Sequence, residues 1–191
     1  MKIGGLAKCS FVDYPGKISA VIFTQGCNFR CIYCHNPQLV YPEKFLETIS
    51  FDDVYDFLKK RKGLLEAVVF CGGEPTLQED LLEKILTVKT LGYLVKIDTN
   101  GSKPDVLAEV LPYLDYIAMD VKALFGPEYS RICGVNVSND DIRRSILLIR
   151  ASGVPYEFRT VSHPKFMPLE NLEQISNFFS DGETHIISKA I

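Results

Sequence analysis

Short apolar runs recur along the chain at residues 18–24 (ISAVIFT), 67–71 (AVVFC), 94–99 (LVKIDT), 116–121 (YIAMDV), 156–161 (YEFRTV) and 184–188 (THIIS). They are rich in Val, Ile and Phe, and several are bounded by turn residues, the first of them following Asp13-Tyr14-Pro15-Gly16; these are the marks of strands. Between them, apolar residues return at every third or fourth position, as on one face of a helix. Phe51, Val54, Phe57 and Leu58 follow Ser50, an N-cap with Asp53 favouring the helix start. Leu77, Leu81, Leu82, Ile85, Leu86 and Leu91 precede Gly92, and Val106, Val110 and Leu111 precede Pro112. Ile142, Ile146, Leu147 and Ile149 follow a cap at Ser138 or Asn139, and Leu169, Leu172, Ile175, Phe178 and Phe179 precede Asp181-Gly182.

Strands and helices thus alternate, which predicts parallel strands joined by right-handed crossovers. With 191 residues and no linker-like stretch, residues 1–191 read as a single domain. A complete eight-unit barrel takes roughly 250 residues, so the fold class is α/β with either an open doubly wound sheet or a partial barrel. Both place chemistry beyond the carboxyl ends of the strands. The loosest stretch, residues 36–48 with Pro37 and Pro42, sits at that end of the first strand.

Composition adds exclusions. Apolar residues at 47% and charged residues at 24% match an ordinary globular chain, not a disordered or membrane-spanning one. A net charge of -3 argues against a protein that lives on nucleic acid or an anionic membrane. Residues 1–8 carry two lysines with no apolar signal core after them, so the expectation is a cytoplasmic, reducing setting. There, clustered thiols bind metal or do redox chemistry more often than they form disulfides.

Six cysteines are present, three of them as Cys27, Cys31 and Cys34 in the loop after the first predicted strand. Two readings stay open on spacing: a zinc site completed by His35 or a distant cysteine, and a [4Fe-4S] cluster held by three thiolates with one iron open. Cys9, Cys71 and Cys133 are expected to be small buried apolar residues. Other motifs end the remaining strands. Gly72-Gly73-Glu74-Pro75 offers two residues without side chains for close ligand approach. Asp98-Thr99-Asn100-Gly101 contains an ordinary turn former. Asp120 and Lys122 interrupt an apolar run and need each other or a ligand, while Arg159 shares a strand face with Val161 and needs an acid or a ligand.

These motifs resemble the radical S-adenosylmethionine (SAM) enzymes, whose signature matches CxxxCxxC here. GCNFRCIYCHNP, FVDYPG, GGEP, DTNG and MDVK together are similar to the activating proteins of anaerobic ribonucleoside-triphosphate reductase, and more broadly to activators of glycyl-radical enzymes such as pyruvate formate-lyase. The resemblance implies a partial (β/α)6 TIM-type barrel and a [4Fe-4S] cluster on Cys27, Cys31 and Cys34. It implies SAM held by Tyr33, Gly72, Gly73, Glu74, Pro75, Asn100, Lys122, Arg159 and Val161. It also implies a monovalent cation near Asp98, Thr99, Met119 and Asp120. Implied partners are a glycyl-radical enzyme, foremost the anaerobic reductase, and a flavodoxin or ferredoxin as electron donor. A short small-molecule enzyme such as a 7-carboxy-7-deazaguanine synthase is the alternative within the superfamily, and a non-catalytic zinc module the alternative outside it. The resemblance would carry the chain on through a Gln-x-Phe-like segment where it reads Ile187-Ser188-Lys189-Ala190 and ends at Ile191.

Overall fold

The computed structural model describes every residue except 164, 165, 168, 180, 181, 190 and 191. Asp181 of the expected last turn and the C-terminal Ala190 and Ile191 therefore lie outside the described residues. One seven-stranded sheet runs in the order β1 (Ile3–Ser10), β2 (Ser19–Thr24), β3 (Ala67–Gly72), β4 (Leu94–Thr99), β5 (Tyr116–Asp120), β6 (Tyr156–Ser162) and β7 (His185–Lys189). From β2 to β7 every pairing is parallel, and each of these strands starts and ends within one residue of its expected bounds. The helices are α1 (Pro37–Val40), α2 (Phe51–Lys60), α3 (Leu81–Thr90), α4 (Pro104–Val110), α5 (Pro127–Cys133), α6 (Asn139–Ala151) and α7 (Leu169–Phe178).

Strand order follows chain order with no reversal, so right-handed crossovers all pass over the same face. A doubly wound sheet would reverse order at a switch point. The sheet is therefore the partial barrel, with β1 and β7 left as unjoined edges. Strand alternation then sorts side chains. Ile22, Phe70, Ile97, Met119 and Phe158 point outward into the main core beneath the helices. Val21, Val69 and Ala67 point inward and, with Tyr14, form a small apolar floor. Above that floor the inward residues turn polar: Lys96, Asp98, Asp120, Glu157 and Arg159.

β1 is a strand that hydrophobic pattern does not announce. It pairs antiparallel with β2 through a register broken by two irregularities. Gly4 makes the close approach possible, since a Cβ there would stand 2.6 Å from both Gln25 Cγ and Leu39 Cδ2. The Asp13-Tyr14-Pro15-Gly16 turn joins the two strands at the barrel floor, where the Tyr14 ring lies 5.6 Å from that of Tyr116. Ser50 and Ser138 cap α2 and α6 by accepting from Asp53 N at 3.1 Å and Asp141 N at 3.2 Å. The expected helix from Leu77 begins later, because residues 75–77 are a tight 3-10 turn belonging to the Gly-Gly-Glu-Pro loop.

Candidate active site

The loop after β2 is fixed by its main chain. Gly26 N donates to Leu39 O at 2.8 Å, Arg30 N to Cys133 O at 2.8 Å, and Cys34 N to Cys31 O at 3.1 Å. Arg30 Nη1 folds back to Cys27 O at 2.6 Å and Phe29 O at 2.8 Å. The loop thus presents Cys27, Cys31 and Cys34, all half-buried, to one cavity at the carboxyl ends of the strands. That cavity is also lined by Tyr33, Gly72, Gly73, Glu74, Asp98, Thr99, Asn100, Asp120, Lys122, Arg159 and Val161. Of the residues that the resemblance assigns to the cluster, SAM or a cation, Pro75 and Met119 alone stand outside its lining. Pro75 is buried in its turn, and the Met119 side chain lies on the outer face, against Gly101.

Gly72 and Gly73 are required for a different reason than ligand approach alone. A Cβ at Gly72 would stand 2.4 Å from Thr24 N, and one at Gly73 2.1 Å from Gly26 O. Their bareness lets β3 and its loop close on the backbone that leads into the cysteine loop, which Gly73 N and Glu74 N then bond at Thr24 O and Gly26 O, both 2.8 Å. Gly73→Ala is expected to force these segments apart and to lower stability by about 3 kcal/mol or more, read as a fall in melting temperature together with weakened metal uptake.

Glu74 is a hub of the site; it is 1% exposed. Its Oε1 accepts from Thr76 N at 3.1 Å, Thr76 Oγ1 at 2.6 Å and Thr99 Oγ1 at 2.7 Å, and its Oε2 from Asn100 N at 2.7 Å. Burial pushes its carboxyl pKa up, against the pull of those donors. Asn100, so anchored, sends Nδ2 to Asn28 Oδ1 at 3.0 Å and toward Cys27 Sγ at 3.9 Å. Asn28 in turn donates to Ser102 Oγ at 2.8 Å. Asn28 and Ser102 are not among the sequence candidates, although Asn28 lies within the cysteine motif and Ser102 directly follows Asn100-Gly101.

An ion-pair chain crosses the barrel interior. Lys96, 1% exposed, donates to Asp13 O at 2.6 Å and pairs with Asp98 at 2.8 Å. Asp98 also holds Arg159 at 2.8 Å, Arg159 reaches Asp120 at 3.3 Å, and Asp120 holds Lys122 at 2.7 Å. Both expected pairings form inside the protein, Lys122 with Asp120 and Arg159 with acids, although Arg159 Nε makes no hydrogen bond among the described residues. The charges of Asp98 and Asp120 are thus already met by Lys96, Arg159 and Lys122. Of the residues expected beside a monovalent cation, Thr99 Oγ1 is bonded to Glu74 and Gly101 N, while buried Asp98 Oδ1 has its ion pair with Lys96 and no hydrogen bond among the described residues.

Desolvation raises the Asp120 pKa, but Lys122 and Arg159 outweigh it and hold the carboxyl below its ordinary value. A depressed folded-state pKa gives stability that is present above the unfolded value and lost as pH falls through the folded one. Unfolding midpoints should therefore fall as the pH drops below the ordinary carboxylate value of about 3.9, and Asp120→Asn should flatten part of that drop.

The thiols differ among themselves. Burial pushes Cys27 up to about 11, with a hydrogen bond from Phe29 N at 3.4 Å working against it. Cys31 is shifted down, chiefly by a hydrogen bond from Cys133 and further by Lys122, against its own burial. Cys133 is fully buried as expected, whereas Cys9 is exposed on the edge strand, which has no neighbour beyond it to cover that side chain. Cys71 faces the cavity beside Gly72.

Residues 21–181 match the Radical SAM superfamily. The chain belongs to this superfamily. It is 37% identical, over 98% of its own length and 79% of the relative's, to a Methanocaldococcus jannaschii protein provisionally named as a glycyl-radical enzyme activating enzyme. It is 31% identical to the pyruvate formate-lyase-activating enzyme of Clostridium pasteurianum, covering 94% of this chain and 76% of that one. Among solved structures, Streptococcus suis SuiB bound to S-adenosylmethionine superposes with a TM-score of 0.70 at 18% identity. That match covers 90% of this chain but 40% of SuiB, and it speaks to the fold. The radical SAM triad fits an iron–sulfur cluster by its donor set, three thiols in one loop opening on one cavity. Among the described residues no three His, Cys, Asp or Glu side chains are gathered into a site for a single ion. A cluster asks for one thiolate per iron and so for ligands that stand apart. Among the described residues, no helix is long and apolar enough to cross a membrane.

Proposed function

We propose that the protein is the activating enzyme of a glycyl-radical enzyme, and that its target is an anaerobic ribonucleoside-triphosphate reductase. The observation that carries the reading is the meeting of the cysteine triad with Asn100, Lys122, Arg159 and Val161 in one cavity at the carboxyl ends of the strands. Similarity to activating enzymes over nearly the whole chain supports it.

Cys27, Cys31 and Cys34 would hold three irons of a [4Fe-4S] cluster. When bound and reduced by a flavodoxin or ferredoxin, the cluster supplies the electron that splits SAM into methionine and a 5′-deoxyadenosyl radical, which takes a hydrogen atom from a glycine Cα of the partner. The chain's own residues bind and orient. Lys122 and Arg159, pinned by Asp120 and Asp98, present fixed positive charge to the carboxylate of the methionine moiety. The Gly72–Gly73 backbone and Asn100, both locked through Glu74, form its polar wall, Tyr33 closes the wall on the Lys122 side by donating to Lys122 O at 3.4 Å, and Val161 offers an apolar surface. The gap between β1 and β7 leaves the barrel open sideways, as entry of a peptide loop requires.

A reductase carrying glycine deuterated at Cα provides the test. With reconstituted, reduced protein and SAM, deuterium is expected to appear in 5′-deoxyadenosine. Transfer from pyruvate formate-lyase instead would keep the activase reading and move the target, a second reading that the Clostridium relative favours. Transfer from neither, with turnover on a small substrate, would overturn the proposal.

A further inference from the structure

A fourth thiol stands beside the triad. Cys133 ends α5, and the main chain there bonds to both neighbours of Cys31, Arg30 N to Cys133 O at 2.8 Å and Ile32 N to Ile132 O at 3.2 Å. Gly134 lets the two segments close, since a Cβ there would stand 2.4 Å from Arg30 O. In this frame the Cys31 side chain packs against the buried core that contains Cys133. Their exposures differ: Cys31 is half-buried and lines the cavity, while Cys133 has no exposure at all. The first can be reached by a small oxidant from solvent, and the second only through the first. No step of the proposed reaction uses Cys133.

We propose that Cys31 and Cys133 are a redox pair, joined as a reversible disulfide in the chain that lacks its cluster when it meets a peroxide. The Cys31 sulfur attacks hydrogen peroxide, the O–O bond breaks, water leaves, and Cys31 becomes a sulfenic acid, two electrons having passed from sulfur to oxygen. Cys133 sulfur then attacks Cys31 sulfur, the S–O bond breaks, and hydroxide leaves with the Cys133 proton as a second water. Two thiols and one peroxide give one disulfide and two waters. A dithiol returns both thiols by exchange. Without a resolving thiol, the sulfenic acid reacts with a second peroxide, whose O–O bond breaks to give sulfinic acid and water, and dithiols do not reverse that product. The pair thus preserves a cluster ligand while the cluster is absent, and ligation of Cys31 withdraws it from the pair.

The test treats the cluster-free chain with equimolar hydrogen peroxide, blocks free thiols with N-ethylmaleimide under denaturing conditions, and digests with trypsin without reduction. Cleavage after Arg30 and Arg131 places Cys31 and Cys133 on separate peptides, 31–44 and 132–143. A crosslink between them is expected, and it should persist in Cys34→Ser, which removes the other thiol of the first peptide. Maleimide on Cys133, with Cys31 joined to Cys34 or Cys27, would overturn the proposal. After peroxide in excess over the chain, so that a second equivalent is available, and then dithiol, wild type should regain cluster binding on reconstitution. Cys133→Ala should instead lose it, its Cys31 peptide carrying two added oxygens; equal recovery of the two would contradict the protective role.

Discussion

Cys27→Ala is expected to give a folded protein that binds no stable iron–sulfur cluster and loses reductive cleavage of S-adenosylmethionine by more than about 100-fold, because loss of even an outer-shell partner of a metal ligand costs 10–100-fold. The fold should survive. What fixes this loop is main chain: Gly26 N to Leu39 O, Glu74 N to Gly26 O and Arg30 N to Cys133 O, none of which involves the Cys27 sulfur. The sulfur accepts weakly from Phe29 N at 3.4 Å and Asn100 Nδ2 at 3.9 Å. Cys27 is also a cleaner probe than Cys31, whose two chain neighbours are bonded to the segment that carries Cys133. Iron and sulfide content, visible absorption and 5′-deoxyadenosine yield after anaerobic reconstitution would check the result. A variant that keeps a full cluster and cleaves normally would show that the triad is misassigned.

Glu74→Ala is expected to be the most destabilising single change in the site. It leaves Thr76 N, Thr76 Oγ1, Thr99 Oγ1 and Asn100 N without their acceptor in a buried setting. An unsatisfied buried donor costs about 1–3 kcal/mol, and whole domains are stable by only about 5–15 kcal/mol. Allowing for relaxation and water entry, a loss of at least about 4 kcal/mol follows, enough to unfold much of the population. Glu74→Gln separates hydrogen bonding from charge. Its amide oxygen can still serve the three donors at Oε1, but its NH2 meets the Asn100 N–H, so a loss of about 1–3 kcal/mol is expected. Urea unfolding measures both, and an alanine variant as stable as wild type would mean that Glu74 does not hold the loops after β3 and β4 together.

Much of the fold was legible because parallel strands buried under helices must be written in apolar runs, and β2 to β7 are so written. β1 was not: Gly4, Gly5 and Lys8 break its run, and it holds by pairing with β2 and by the closeness that Gly4 allows. α5 is one short helix, Pro127–Cys133, set by its packing on the cysteine loop rather than by a repeating face. In the site, the triad was legible because its chemistry is local in sequence. Gly72 and Gly73 stood out correctly, but the missing side chains make room for Thr24 and Gly26, a tertiary fact. Strand alternation already placed the Met119 side chain on the face opposite Asp120. The pairing Asp98–Arg159 and the seating of Cys133 on the cysteine loop join residues far apart in the chain, and no spacing rule could have found them.

The central claim is that this barrel makes a glycyl radical on a partner protein. Electron paramagnetic resonance of the anaerobic reductase, after mixing with reduced, reconstituted protein and S-adenosylmethionine, tests it most directly. A doublet that collapses to a single line when the glycine Cα is deuterated is the predicted result. No organic radical on that reductase or on any other glycyl-radical enzyme of the host, with cluster and S-adenosylmethionine cleavage intact, would contradict it.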